Sequence, residues 1–226
     1  MSRPLALLRP EPGWSASAAA ARAAGLAVVG HPLFEAEAIH WSPPAERFDA
    51  LLIGSAAVFT HGGPELARYR SAPVHAVGEA TARAASAAGF HVATVGTGGL
   101  QGVLDAEALT PLRYLRLGGE ERLSLVLNPG QTMVERAVYR FRSLPIDAAF
   151  AAHLACDRPL VALHSAAAAR HFAGEIERFG IARAGIGLLA LGPRIAAAAG
   201  PGWAGVDWAD RPDDGALLVK ALTLCK

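Results

Sequence analysis

Cysteine and methionine are nearly missing from this chain, with two of each in 226 residues. Cys156 and Cys225 stand alone and form no metal-like spacing, so a reducing cytoplasm is the simplest expected home. Net charge is almost absent as well. Twenty-one Lys and Arg against 20 Asp and Glu leave +1, which offers neither a nucleic-acid footprint nor an acidic tail. Long apolar runs are missing too. The longest stretches, such as Ala184 to Leu191, are broken by glycine and far shorter than a bilayer requires. The opening Met1-Ser2-Arg3-Pro4 leads directly into Leu5-Ala6-Leu7-Leu8, without the apolar core and small-residue cleavage site of a signal peptide. Neither membrane nor nucleic acid is an expected partner.

Familiar catalytic signatures are scarce. There is no G-x-S-x-G elbow, since Gly54-Ser55-Ala56 lacks the flanking pattern. There is no H-E-x-x-H and no His/Cys cluster of metal spacing, so no metal is expected. His164 and His171 lie seven apart and read as a surface or half-buried pair. Gly96-Thr97-Gly98-Gly99-Leu100-Gln101-Gly102 follows a strand and opens a helix, but a dinucleotide fingerprint belongs on the first βα turn. Its counterpart further on, Asp210 to Asp214, has no glycine pair. It reads as a flexible helix-opening loop, and no cofactor is assigned.

What the chain does have is alternation. Hydrophobic residues make up 52% and charged residues 18%, as an alanine-rich globular protein would. The length suits one large domain or two small ones. Short apolar runs at Leu5–Leu8, Leu26–Val29, Ala50–Ile53, Val74–Val77, Val92–Val95, Arg113–Leu117, Met133–Phe141, Leu160–Leu163 and Ile186–Leu191 read as strands. Helical segments separate them at Pro12–Ala24, Glu79–Ala88, Ser165–Phe179, Pro193–Ala199 and Asp214–Leu224. This is the pattern of βαβ units around mostly parallel sheets.

The halves also match each other. Leu51 to Ala57 recurs as Val161 to Ala167, displaced by 110. Gly78 to Ala82 recurs as Gly192 to Ala196, displaced by 114, and Gly102-Val103-Leu104 as Gly215-Ala216-Leu217, displaced by 113. Leu8-Arg9 pairs with Leu115-Arg116 at 107, and helix-ending Gly25 with Gly130 at 105. Five matches in one order indicate internal duplication.

Ser55, Thr81 and Ser165 each follow a strand at or near a helix start. Such hydroxyls cap free backbone N–H groups, and helix N-termini also attract anions. Carboxyl ends of strands are where open α/β sheets bind ligands, so two such domains facing each other predict a cleft suited to a polycarboxylate. Along Val134 to Arg142 the side chains alternate. Arg136, Val138, Arg140 and Arg142 share one side, and Glu135, Ala137, Tyr139 and Phe141 the other. The arginines are either a solvated face or anion partners. Tyr139 is either packed surface or a phenol aimed into the cleft.

These residues resemble the uroporphyrinogen-III synthase family over almost the whole chain. The carriers are Leu8-Arg9-Pro10-Glu11-Pro12, Pro32 to Glu37, Gly54 to Val58, Ala76 to Ala82 with Ala88-Gly89-Phe90, and Ala137 to Phe141. The resemblance implies two similar α/β domains with a cleft between them, joined by a two-stranded β-ladder hinge. Residues 1–33 with 146–226 would form one domain and 45–136 the other, with 34–44 and 137–145 as the ladder. It implies a cofactor-independent lyase acting on hydroxymethylbilane, a linear tetrapyrrole rich in acetate and propionate. Loss of the terminal hydroxyl gives an azafulvene, and ring closure through a spiro intermediate inverts ring D.

Tyr139 matches the family's candidate proton donor. Ser55, Thr81 and Ser165 match hydroxyls around the cleft, and Arg9 and Arg194 are expected to meet substrate carboxylates. A cytoplasmic monomer in transient contact with the preceding pathway enzyme is implied. Departures fall at Leu8, Ala57, Ala166-Ala167, Arg194-Ile195 and Leu117-Gly118-Gly119. They keep a second reading open, a non-catalytic tetrapyrrole or polycarboxylate binder on the same scaffold.

Overall fold

The computed structural model describes residues 3–107 and 111–226. Residues 1–2 and 108–110, which the sequence reading puts in the first and second domains, lie outside it. The chain divides into two compact units, Met1–Glu35 with Arg142–Lys226, and Ala36–Phe141.

In the first unit a five-stranded parallel sheet holds β1 (Leu5–Leu7), β2 (Val28–Val29), β9 (Leu160–Leu163), β10 (Gly187–Ala190) and β11 (Gly205–Trp208). The spatial order is β11-β10-β9-β1-β2. The order reverses between β1 and β9, which makes that gap the topological switch point of a doubly wound sheet. α1 (Gly13–Ala23) and α8 (Asp214–Leu224) cover one face, where Leu5, Leu7, Ala162 and Leu189 meet Ala18, Ala21, Leu217 and Ala221. α5 (Ala148–Cys156), α6 (Ala166–Arg178) and α7 (Pro193–Ala198) cover the other. There Ala6, Val161, Leu163 and Leu188 meet Phe150, Leu154, Phe172 and Ile176. Burial on both faces is why β1 and β9 read as unbroken apolar runs.

The second unit repeats this design in permuted order. Its strands are β4 (Ala50–Ile53), β5 (Val74–Val77), β6 (Val92–Gly96), β7 (Arg113–Gly119) and β8 (Thr132–Ser143), with β3 (Phe34–Ala38) on the edge. The order β3-β8-β7-β4-β5-β6 matches the first sheet strand for strand once β3 is set aside. β3 runs antiparallel to β8, since Ile39 N–H donates to the Val138 carbonyl and Leu144 N–H to that of Leu33. α2 (Ala57–His61), a 3-10 turn at Pro64–Tyr69 and α3 (Glu79–Ala87) cover one face, and α4 (Leu100–Ala106) lies on the other.

Two details of the repeat need correcting. Leu5 pairs with Leu160 and Tyr114 with Ala50, and Ala50 is the counterpart of Leu160. The register therefore sets Leu8-Arg9 against Leu117-Gly118, two residues beyond the Leu115-Arg116 read from sequence. A shift of two keeps every side chain on its face, which is how the pattern concealed it. Gly130, like Gly25, has positive φ (85° and 86°), but it ends no helix. Where the first unit has α1, residues 120–131 run as an irregular segment, and Leu125 and Leu127 pack against the sheet in the helix's place.

Candidate functional site

In the first unit, Arg9, Ser165 and Arg194 follow β1, β9 and β10, three adjacent strands, at their carboxyl ends. Ser165 caps α6 as expected, its Oγ accepting from Ala168 N–H at 3.1 Å. Arg194 stands exposed in the first turn of α7, and among the described residues no acid or carbonyl engages it. Arg9 is already engaged. Its guanidinium donates to Ser17 Oγ at 3.0 Å and pairs with Asp214 Oδ2, while Ser17 Oγ donates to the same oxygen at 3.1 Å. A Cβ at Gly13 would collide with this guanidinium, so glycine lets Arg9 lie across the start of α1.

His164 completes the cluster. Its side chain is 9% exposed, and Nε2 stands 3.4 Å from Asp214 Oδ1 without hydrogen-bond geometry at either ring nitrogen. The Asp214 carboxyl is held down to about 2, first by the imidazole of His164, then, against the cost of burial, by Arg9 and Ser17. Its place in the first turn of α8 favours the anion further. Sequence reading misses this cluster because its members are brought together from opposite ends of the chain. It sets His164 beside His171, which instead bonds the Leu144 carbonyl at 2.7 Å.

In the second unit Ser55 and Thr81 follow β4 and β5 in the chain, and Tyr139 lies within β8 opposite the last residue of β7. Ser55 Oγ accepts weakly from Ala57 N–H at 3.3 Å. Thr81 is not a cap. It sits inside α3, 4% exposed, and the cap position belongs to Gly78 with φ 75°. The first turn of α3 therefore has no side-chain cap; Thr81 N–H donates to the Gly78 carbonyl at 3.1 Å, which leaves the N–H groups of Glu79 and Ala80 for an anion, with the Glu79 carboxylate in the same turn.

Tyr139 lies opposite Gly119, the last residue of β7. A Cβ on Gly119 would stand 3.0 Å from Cε2, 3.2 Å from Cζ and 3.3 Å from the phenol oxygen. Glycine there makes room for the phenol end beside the β7–β4 switch point. The ring packs edge-on to Phe141 and 6.1 Å from His61, and the residue is 6% exposed.

The alternation read along this strand does not hold. A register shift at Gly118/Gly119 lets Val138 and Tyr139, neighbours in sequence, enter one core cluster. The arginine comb is also engaged. Arg140 bonds Glu37 at 2.5 Å, Arg142 pairs with Glu35, and Arg136 donates to the Ser42 carbonyl at 3.2 Å. Each opposing acid lies on β3, so the ladder satisfies its own charges.

Among the described residues no group of three His, Cys, Asp or Glu could hold a metal ion. Among the described residues no helix is long and apolar enough to cross a membrane.

Two doubly wound units, each with polar groups at the carboxyl ends of parallel strands around a switch point, define a duplicated α/β protein of the class whose strand ends are the usual place for ligands. The sequence comparison goes further: a family model for uroporphyrinogen-III synthase HemD matches residues 15–218, and the chain belongs to that family, the cyclising lyases of tetrapyrrole synthesis. A uroporphyrinogen-III synthetase from Helicobacter pylori 26695 is similar in fold, with TM-score 0.66, 17% identity, and 98% of this chain and 99% of that chain covered. A mutant uroporphyrinogen III synthase from the extremely thermophilic bacterium Thermus thermophilus gives TM-score 0.50 at 17% identity, covering 97% and 99%. A search of curated proteins finds no match.

Proposed function

We propose that this chain closes hydroxymethylbilane to uroporphyrinogen III, with loss of water and inversion of ring D. Family membership over residues 15–218 carries the reading. The strand ends support it chemically: uncapped N–H groups at the start of α3 and the exposed Arg194 suit carboxylates, each unit taking part of the substrate's set. Because the free substrate closes without inversion, the protein's work is to fix geometry. Tyr139 would donate the proton to the departing hydroxyl, and the space at Gly119 supports its position. The ladder segments 34–44 and 137–145 would link domains 1–33 with 146–226 and 45–136. A monomer working in the cytoplasm, in passing contact with the enzyme that supplies this unstable substrate, completes the proposal.

The test is incubation with freshly made hydroxymethylbilane and separation of the isomers. Mostly type III product is expected, and mostly type I would refute the reading. The loss of hydroxyls at Arg194-Ile195 favours a second reading, a tetrapyrrole binder without turnover. Calorimetric binding without product would select it.

A further inference from the structure

Phe141 is an exposed aromatic side chain, 48% accessible, on a stretch of β8 that outruns its neighbour. Pairing with β7 ends where Gly119 meets Tyr139, so residues 140–143 have only β3 beside them in the sheet. Arg140 and Arg142 are tied to Glu37 and Glu35 on β3, which sets Phe141 opposite Ala36. A methyl group cannot cover a phenyl ring. The ring packs edge-on to Tyr139, with centroids 5.6 Å apart and planes at 83°, and the rest of it stays open.

A lone exposed apolar side chain is ordinary, but this one has an unusual neighbour. Of the three tyrosines, Tyr69 donates its hydroxyl to the Pro44 carbonyl at 2.9 Å, and the Tyr114 oxygen is sealed in the core. Among the described residues the Tyr139 phenol is neither bonded nor sealed. A reachable hydroxyl and an open aromatic ring therefore stand side by side. Because the adjacent arginines are paired within the ladder, the contact on offer is flat and apolar, not ionic. The flat, uncharged part of a linear tetrapyrrole is the pyrrole ring, whose carboxylates lie on its rim. We infer that Phe141 is the platform for the pyrrole that carries the departing hydroxyl, holding it so that the breaking C–O bond meets the Tyr139 phenol. This assignment rests on the ring-closing reading and adds a substrate contact to it.

Two substitutions separate a flat face from mere bulk. Phe141→Leu keeps an apolar side chain and loses the ring, while Phe141→Trp keeps a ring. In single-turnover assays on freshly made hydroxymethylbilane, Phe141→Leu should slow type III formation about threefold to tenfold, the loss of one aromatic contact. It should also raise the share of type I product, and Phe141→Trp should restore rate and isomer ratio to within about twofold. In a Tyr139→Phe background the Phe141→Leu loss should persist, because the platform touches substrate. An unchanged rate and isomer ratio in Phe141→Leu would overturn the assignment, as would equal losses in the Leu and Trp variants. A loss that vanishes in the Tyr139→Phe background would also overturn it, making Phe141 a support for the phenol. If the parent chain itself yields mostly type I product, the ring-closing reading fails first and the platform falls with it.

Discussion

The two units share a sheet order and differ in what stands at the switch point. In the first, Arg9, Ser17, His164 and Asp214 fill the strand ends with a polar cluster whose members largely satisfy one another. In the second, Gly118 and Gly54 occupy the places of Arg9 and His164, and Gly119 leaves space for Tyr139. Helix starts differ only in part. Asp147, Ser165 and Asp213 cap α5, α6 and α8 with side-chain oxygens and glycine opens α4, but α7 and its counterpart α3 both open on a glycine, Gly192 and Gly78. Gln101 stands where Asp214 stands and grips the Val126 backbone at both N–H and C=O, each 2.9 Å, so it pins the segment that replaces α1. Duplication kept the frame, while the polar groups diverged. One copy is tied down by its own ion pairs, and the other has its strand ends cleared.

If the cleared copy holds the proton donor, the largest effect falls there. Tyr139→Phe should lower turnover about tenfold to a hundredfold, the range for one general acid, with the Michaelis constant nearly unchanged. Steady-state and single-turnover kinetics on hydroxymethylbilane would measure it, and an unchanged rate would reduce Tyr139 to packing. In the tied-down copy, Asp214→Asn should cost stability, not rate. Removing one charge-assisted partner from a half-exposed cluster is worth about 1 to 1.5 kcal/mol. The sign with pH is fixed: the Asp214 carboxyl is lowered to about 2 in the folded chain, so its contribution is full above the unfolded value of ~3.9 and lost as pH falls toward 2. Urea midpoints of the two proteins should converge across that window. For Gln101→Ala, its neutral counterpart, the loss should not change with pH.

Gly119 sharpens the contrast within the second unit. Gly119→Ala forces the Tyr139 ring to give by a few tenths of an ångström, and turnover should fall about threefold to fivefold through misplacement. Gly118→Ala, whose Cβ would meet nothing within 4 Å, should leave it unchanged. In a Tyr139→Phe background the Gly119→Ala effect should vanish. If it persists, the glycine acts on something other than the phenol.

Much of this frame is legible in the sequence because it depends on local signals. Ala50–Ile53, Val74–Val77, Leu160–Leu163 and Asp214–Leu224 have the bounds read from apolar runs and turn residues. Ser165 likewise announces its cap. Signals that depend on partners far along the chain are not readable. Asp147 opens α5, a helix whose Ala148–Cys156 run shows little amphipathic pattern because alanine occupies both of its faces. Thr81 follows its strand as a cap would, yet a glycine with positive φ takes that role and the threonine is buried. The Val138–Tyr139 pair defeats alternation through a register shift set by β7. Arg9 meets Asp214 only once the two ends of the chain have joined one sheet.

The smallest effect compares two serines at equivalent places. Ser165 caps a helix of 13 residues through a 3.1 Å bond to Ala168 N–H. Ser55 precedes one of five residues and accepts only from Ala57 N–H at 3.3 Å. A cap is worth what its helix would lose at an unsatisfied end, and a one-turn helix has little to lose. Ser165→Ala should therefore cost about 0.5 to 1 kcal/mol, and Ser55→Ala no more than a few tenths, in urea midpoints taken without substrate. Turnover is expected to reverse that ranking, because Ser55 has a hydroxyl with no strong structural partner at the end of a cleared strand. Equal stability losses would mean that the second unit depends on side-chain caps as the first does. A Ser55→Ala protein with the full rate would remove that hydroxyl from the site.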